Sequence, residues 1–208
     1  MADDTVKPSI IERRVALEER KRVDEMSPEE MRRALLTSDL TRLPNRRAFD
    51  EAAQAPAVAM SDVDGLKALN KVCDDAGDAL LRAKADALRE AGLDAYHDKG
   101  DEFVCRGDNA EELRTKLERA RAILRERTVI VKRPDGINLS FTGADFSFGT
   151  GTDIAEAELL LKRHKAEREQ RGDIGRGELR GITIKSHQPN DSDQASSSFE
   201  KLGPPTTK

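Results

Sequence analysis

The stretch Asp94-Ala-Tyr-His-Asp-Lys-Gly-Asp-Glu-Phe-Val-Cys-Arg106 reads as a strand, a tight turn over Lys99-Gly100-Asp101-Glu102, and a second strand led by Phe103 and Val104. Gly and Asp are ordinary turn residues, so a solvated hairpin tip is the plain reading of such a segment taken alone. Asp101 and Glu102 are adjacent acids, however, and like charges held a few ångströms apart repel unless a cation stands against them. A second acidic strand end lies upstream, in Val58-Ala-Met-Ser-Asp-Val-Asp64. Carboxylates from two neighbouring strands, beside a phosphate-binding turn, are what a Mg2+-dependent phosphoryl-transfer site needs. This chain offers both.

Outward from the hairpin, the elements follow from their periodicity. Residues 57–62 form a short apolar strand ending in Asp62, with Gly65, Lys67 and Asn70 after it. A helix is expected from about Asp78 to Ala91, with Ala79, Leu80, Ala83, Ala87 and Leu88 on its inner face. After the hairpin, Leu113, Leu117, Ala120 and Leu124 mark a helix over about 110–127. Strands over 128–132 and 137–142 flank the turn Pro134-Asp135-Gly136, and alternation continues through Ala144, Phe146 and Phe148. A last helix covers about 154–170 and stops at Gly172; residues 182–184 add an edge strand. The order β-α-β-β-α-β-β-α predicts an α/β sandwich with a mixed sheet flanked by helices, not a doubly wound one.

Upstream, Ser27-Pro-Glu-Glu30 combines an N-cap, a first-turn proline and a capping box. The helix it starts runs through Met31, Leu35 and Leu36 and ends before Pro44. Residues 9–25 carry a weak apolar stripe (Ile10, Ile11, Val15, Leu17) that predicts an exposed helix able to meet a partner, without the heptad of a coiled coil. Residues 1–37 are thus expected to be a helical extension, 38–185 the catalytic domain, and 186–208 a disordered tail rich in Ser, Pro, Asp and Gln.

Composition narrows the classes. The 208 residues suit one aliphatic core plus extensions, with six Phe, one Tyr and no Trp. The 36 basic and 40 acidic residues are well mixed, so no basic face for nucleic acid is expected. Cys73 and Cys105 form no disulfide framework or metal spacing, and His97, His164 and His187 are too scattered for a His-based site. No apolar run approaches the ~20 residues of a membrane span. The expectation is a cytoplasmic protein with neither membrane nor nucleic-acid partner.

The helix between the first strand and the hairpin is a crossover, which brings Asp62 and the Asp101-Glu102 turn together in one sheet. Asp64-Gly65-Leu66 then offers backbone N–H groups to phosphate, and Lys67 adds a positive charge. Asp78 and Asn70 have the acceptors and donors that suit a guanine edge. In these residues the chain resembles a GGDEF domain, the diguanylate cyclase family. Five stretches match in order over about residues 38–170: Leu40-Thr-Arg-Leu-Pro-Asn-Arg-Arg-Ala-Phe49, Ser61-Asp-Val-Asp-Gly-Leu-Lys-Ala-Leu-Asn70, Gly77-Asp-Ala-Leu-Leu81, Lys99-Gly-Asp-Glu-Phe103 and Ala157-Glu-Leu-Leu-Leu-Lys-Arg-His-Lys165.

The resemblance implies a palm-like nucleotidyl-cyclase fold that condenses two GTP into cyclic di-GMP, with Mg2+ or Mn2+, at the interface of a homodimer. It implies that Asp62, Glu102 and the carbonyl of Val63 hold the metal. Asp101 assists or deprotonates the 3′-hydroxyl. Lys67, Lys165 and the N–H groups of Gly65 and Leu66 meet the triphosphate, Asn70 and Asp78 read guanine, and Gly100 lies in the substrate-binding turn. A domain that binds GTP or a guanine dinucleotide without turnover is the alternative. The chain departs from the pattern at Lys99, where the family's first signature glycine stands, and in a 71–77 segment one residue short. Ala91-Gly-Leu-Asp94 keeps only the Asp of the feedback motif, so no product inhibition through that site is expected.

Overall fold

In the computed structural model, residues 23–133, 138–174, 179 and 181–187 are described. The expected helix over 9–25 lies almost wholly outside them, and so do the Pro134-Asp135-Gly136 turn and most of the tail. Helix α1 (Pro28–Leu36) starts as its sequence dictates: Glu30 N donates to Ser27 Oγ at 3.2 Å and Ser27 N to Glu30 Oε2 at 2.8 Å. Helix α2 (Arg46–Glu51) is capped by Asn45, whose Oδ1 accepts from Ala48 N.

Four strands, β1 (Ala57–Val63), β2 (Asp94–Lys99), β3 (Glu102–Gly107) and β6 (Phe146–Gly151), form the main sheet in the order β2-β3-β1-β6. The α/β palm-like architecture holds, with one refinement to the expected mixed sheet: all three pairings are antiparallel. Each crossover skips one strand. β1 and β2 run the same way with β3 between them, and β3 and β6 run the same way with β1 between them, as in split βαβ units. A second sheet, β4-β5-β7, joins β4 (Val129–Val131), β5 (Asn138–Thr142) and β7 (Thr183–His187). Ser186 and His187, read from sequence as tail, belong to β7, and His187 Nε2 meets Ser140 Oγ at 2.7 Å.

Alternation along β1 separates two cores. Ala57, Ala59 and Val63 face the larger, shared with Leu80 and Leu88 of α4 (Asp74–Glu90) and Leu113, Leu117 and Leu124 of α5 (Ala110–Glu126). Val58 and Met60 face the smaller, with Ala157 and Leu161 of α6 (Ile154–Arg171) and Phe49 of α2. By this alternation Ser61 belongs to the first face and Asp62 to the second.

The 64–78 region differs from its sequence reading. A short helix α3 (Leu66–Val72) follows Gly65, and α4 begins at Asp74 rather than 78. Cys73, with φ −163° and ψ 126°, is the extended joint between them. The buried side chains of α3, Ala68 and Leu69, are too few to announce a period. Asp78 therefore sits in the second turn of α4, not at a helix start.

Candidate active site

β1 and β3 end their ladder with Asp62 directly opposite Glu102. Directly opposed residues share a face, with Cβ atoms ~5 Å apart. Helix α6 covers that face. Its Lys165 Nζ stands 2.7 Å from Asp62 Oδ1, an ion-pair contact without the alignment of a hydrogen bond. One turn on, Arg168 donates from Nη1 to Asp64 Oδ2 at 2.5 Å and to Ser147 Oγ at 2.9 Å, and Ser147 Oγ donates to Asp64 Oδ1 at 2.9 Å. Asp62 lies near the end of β1 and Asp64 just past it, where its N–H donates to Asp145 O at 3.0 Å, while Lys165 and Arg168 are three apart on a helix. The helix spacing keeps Lys165 and Arg168 on one face, and Ser147, opposite Asp62 on β6, holds Asp64 on the same side, so two ion pairs form. Gly149 on β6 permits the close approach: a Cβ there would meet Leu161 N at 2.2 Å and Ala157 O at 2.4 Å.

The signature turn is pinned from the N-terminal side. His97 Nδ1 lies 2.7 Å from Ser38 Oγ and its Nε2 3.0 Å from the carbonyl of Gly100, while its backbone N donates to Pro44 O at 2.8 Å. Its ring stacks on Phe103, centroids 4.7 Å apart. A register shift between His97 and Lys99 places Lys99 opposite Glu102, with Nζ 3.5 Å from Oε2. Lys99 thus points its charge at a site acid. Asp101 sits in the turn, half-buried, after Gly100 at φ 55°.

On the expected phosphate side, Gly65 (φ 77°) caps α3, and Leu66 and Lys67 form its first turn with Lys67 exposed. On the expected base side, Asn70 lies against Gly77, where a Cβ would fall 1.7 Å from Asn70 Oδ1. The α3–α4 joint therefore folds Asn70 back beside the residue preceding Asp78, despite the shortened segment. Asp78 Oδ2 is 3.8 Å from Arg82 Nη2.

Electrostatics follow from burial. Burial pushes the Asp62 carboxyl above its ordinary range, against the lowering by Lys165. Burial likewise acts to raise Asp145, but Arg121, Arg125 and Arg168 outweigh it and hold the carboxyl at about 2. Arg121 reaches both Asp145 oxygens at 3.0 Å, and Arg168 Nη2 donates to Oδ2 at 2.5 Å. Lys84 of α4 is fully buried, its Nζ 4.3 Å from the Phe103 ring centroid and 4.9 Å from that of Phe146. Burial lowers it to about 7, while Asp62, Cys105, Asp64 and Asp101 oppose the fall.

Among the described residues, no three or more His, Cys, Asp and Glu side chains stand close enough together to hold a metal ion. The donors that do converge, the Asp62 and Glu102 carboxylates with Val63 ending β1, still fit Mg2+. This ion takes one or two carboxylates and completes its shell with water and substrate phosphates. Sequence reading missed His97, Arg168, Asp145 and Lys84. Only Arg168, one turn beyond Lys165, carried a local signal. No helix among the described residues is long and apolar enough to cross a membrane.

No protein-family model and no curated protein matches the chain. Solved structures do. The diguanylate cyclase SiaD of Pseudomonas aeruginosa, solved with its activator SiaC, aligns at a TM-score of 0.53 and 23% identity, over 76% of this chain and 64% of that one. The chain therefore spans less than two thirds of the SiaD chain. A sensory box/GGDEF family protein of Caulobacter crescentus aligns at 24% identity and a TM-score of 0.48, over 64% of this chain and 99% of that one. The coiled coil and GGDEF domain of DgcB from Caulobacter crescentus, in complex with c-di-GMP, aligns at 24% and 0.47, over 81% and 91%. The likeness to SiaD assigns the fold: this chain has the fold of a GGDEF domain.

Proposed function

We propose that the chain is a diguanylate cyclase that condenses two GTP into cyclic di-GMP across a homodimer. The observation that carries this reading is Asp62 opposite Glu102 at the sheet end, beside the Gly65 turn and under Lys165. Asp62, Glu102 and the Val63 carbonyl would hold Mg2+, which supplies charge neutralisation of the triphosphate when bound. Lys67, Lys165 and the N–H groups of Gly65 and Leu66 bind the β- and γ-phosphates. Lys165 must release Asp62 to do so, and swings between an internal and a substrate partner. Asn70 and Asp78 orient guanine, and Gly100 gives the ribose a close backbone edge.

Each 3′-oxygen attacks the α-phosphate of the GTP on the facing domain. One P–O bond forms and the bond to pyrophosphate breaks, and Asp101 accepts the hydroxyl proton. Two such steps close the ring and release two pyrophosphates. Positioning carries most of the catalysis, because two bound nucleotides face each other as an intramolecular pair would.

One observation favours a second reading, a domain that binds GTP or a guanine dinucleotide without turnover: both site acids already face lysines, Lys165 and Lys99. One experiment separates them. Purified protein is incubated with GTP and Mg2+ at concentrations that permit dimerisation, beside Asp62→Ala and Glu102→Ala, and products are resolved by chromatography. Cyclic di-GMP from the wild type alone supports the cyclase. GTP binding without product supports the second reading.

A further inference from the structure

Lys84 has no place in the mechanism above, yet it lies under the acids. Its side chain is fully buried and its Nζ makes no hydrogen bond among the described residues. An unpaired buried ammonium is costly, and burying it between two rings returns only part of that cost through the cation–π attraction. The rings belong to Phe103, next to Glu102, and Phe146, opposite Val63. Ser61 and Phe103 are opposed in register and share a face, so Lys84 stands on the side of the sheet away from Lys165. Ser61 Oγ is also buried without a hydrogen-bond partner among the described residues. The carboxylates acting on Lys84 are Asp62 foremost, then Asp64 and Asp101.

Resting on the reading of this sheet end as a divalent-cation site, we propose that Lys84 is a resident cation of the acidic end. From beneath the sheet it offsets the charge of Asp62, which Lys165 meets from above, and so competes electrostatically with a bound divalent ion. It acts through Asp62 and Asp101 as a positioning residue and touches no substrate. Two resident cations, Lys84 immobile beneath the sheet and Lys165 above it until phosphate draws it away, let the carboxylates stay together without metal, and each weakens the pull on an incoming ion. Damage to the site would weaken metal binding. Removal of a competing charge strengthens it, so the sign of the change identifies the role.

The test measures Mn2+ binding at pH 6.5, from the free-ion electron paramagnetic resonance signal, in wild type, Lys84→Met and Lys84→Gln. Each is repeated with Asp62→Asn added. Methionine keeps the unbranched shape and suits the apolar walls, and glutamine keeps polarity without charge. Both single variants are expected to bind Mn2+ at least about fivefold more tightly than wild type, a gain that vanishes in the Asp62→Asn background. Binding by the variants but not the wild type would support the same conclusion. Affinity equal to or below wild type in both folded variants would overturn the role of Lys84 and leave the metal site standing. Absence of binding in every protein would overturn the metal reading together with this inference.

Discussion

Asp62 and Glu102 stand directly opposite one another where the β1–β3 ladder ends, and each faces a lysine, Lys165 on one side and Lys99 on the other. Two acids opposed across antiparallel strands repel, and lysines held against them are what the fold supplies without a ligand. Stability and chemistry therefore draw on the same charges in opposite directions.

Glu102→Gln separates those directions. It removes one of two opposed negative charges, worth ~0.2–1 kcal/mol across a strand pair. The metal-free melting temperature is expected to hold or rise by about 1–3 °C, while cyclic di-GMP formation falls by at least about a hundredfold. Calorimetry and product chromatography on the same sample check both. A clear drop in melting temperature would show that Glu102 is there for structure.

Asp145 makes stability depend on acid. Its folded carboxyl is held at about 2 against an ordinary 3.8, so between those values the unfolded chain takes up a proton that the folded chain does not. The contribution is complete above about pH 4, fades as pH falls towards 2, and amounts to about 2 kcal/mol. Urea unfolding between pH 5 and 2 should show this loss in the wild type and a flatter profile in Asp145→Asn. Equal slopes would remove Asp145 from the account. At pH 7 the same variant should be destabilised by about 3 kcal/mol or more, because Arg121 and Arg168 are left buried around a neutral amide.

Gly149→Ala tests the seat of helix α6. The added Cβ would press on Leu161 N and Ala157 O, backbone atoms that cannot rotate away. A loss of about 1–3 kcal/mol is expected, read as a fall of several degrees in melting temperature. Lys165 lies one turn past Leu161, so product formation should fall with it at temperatures where the variant is fully folded. An unchanged rate in a folded variant would show that the helix position is not critical to Lys165.

Much of this could be read from the chain. The hairpin announces itself because Lys99-Gly100-Asp101-Glu102 sits between two apolar runs, and α1 because Ser27 and Glu30 cap each other. Asp62, Asp101 and Glu102 were legible as paired acidic strand ends. What was hidden is what long-range packing decides. Helix α3 is too short to show a period, and the skipped strands that make the sheet antiparallel leave no trace in element order. Lys84 looks like any solvated helix lysine until α4 is laid on the sheet. His97 was lost among scattered histidines because its ring partners, Ser38 on Nδ1 and the Gly100 carbonyl on Nε2, lie 59 residues upstream and three downstream.

The Arg168–Asp64 contact spans 104 positions, and both cations that α6 brings to the acidic end lie late in the chain. Any opening of α6 would withdraw Lys165 and Arg168 together, because both sit on that one helix. Competence of the site would then follow the docking of that helix. Amide exchange along α6 and turnover should respond to mild denaturant in step, before the sheet itself begins to yield.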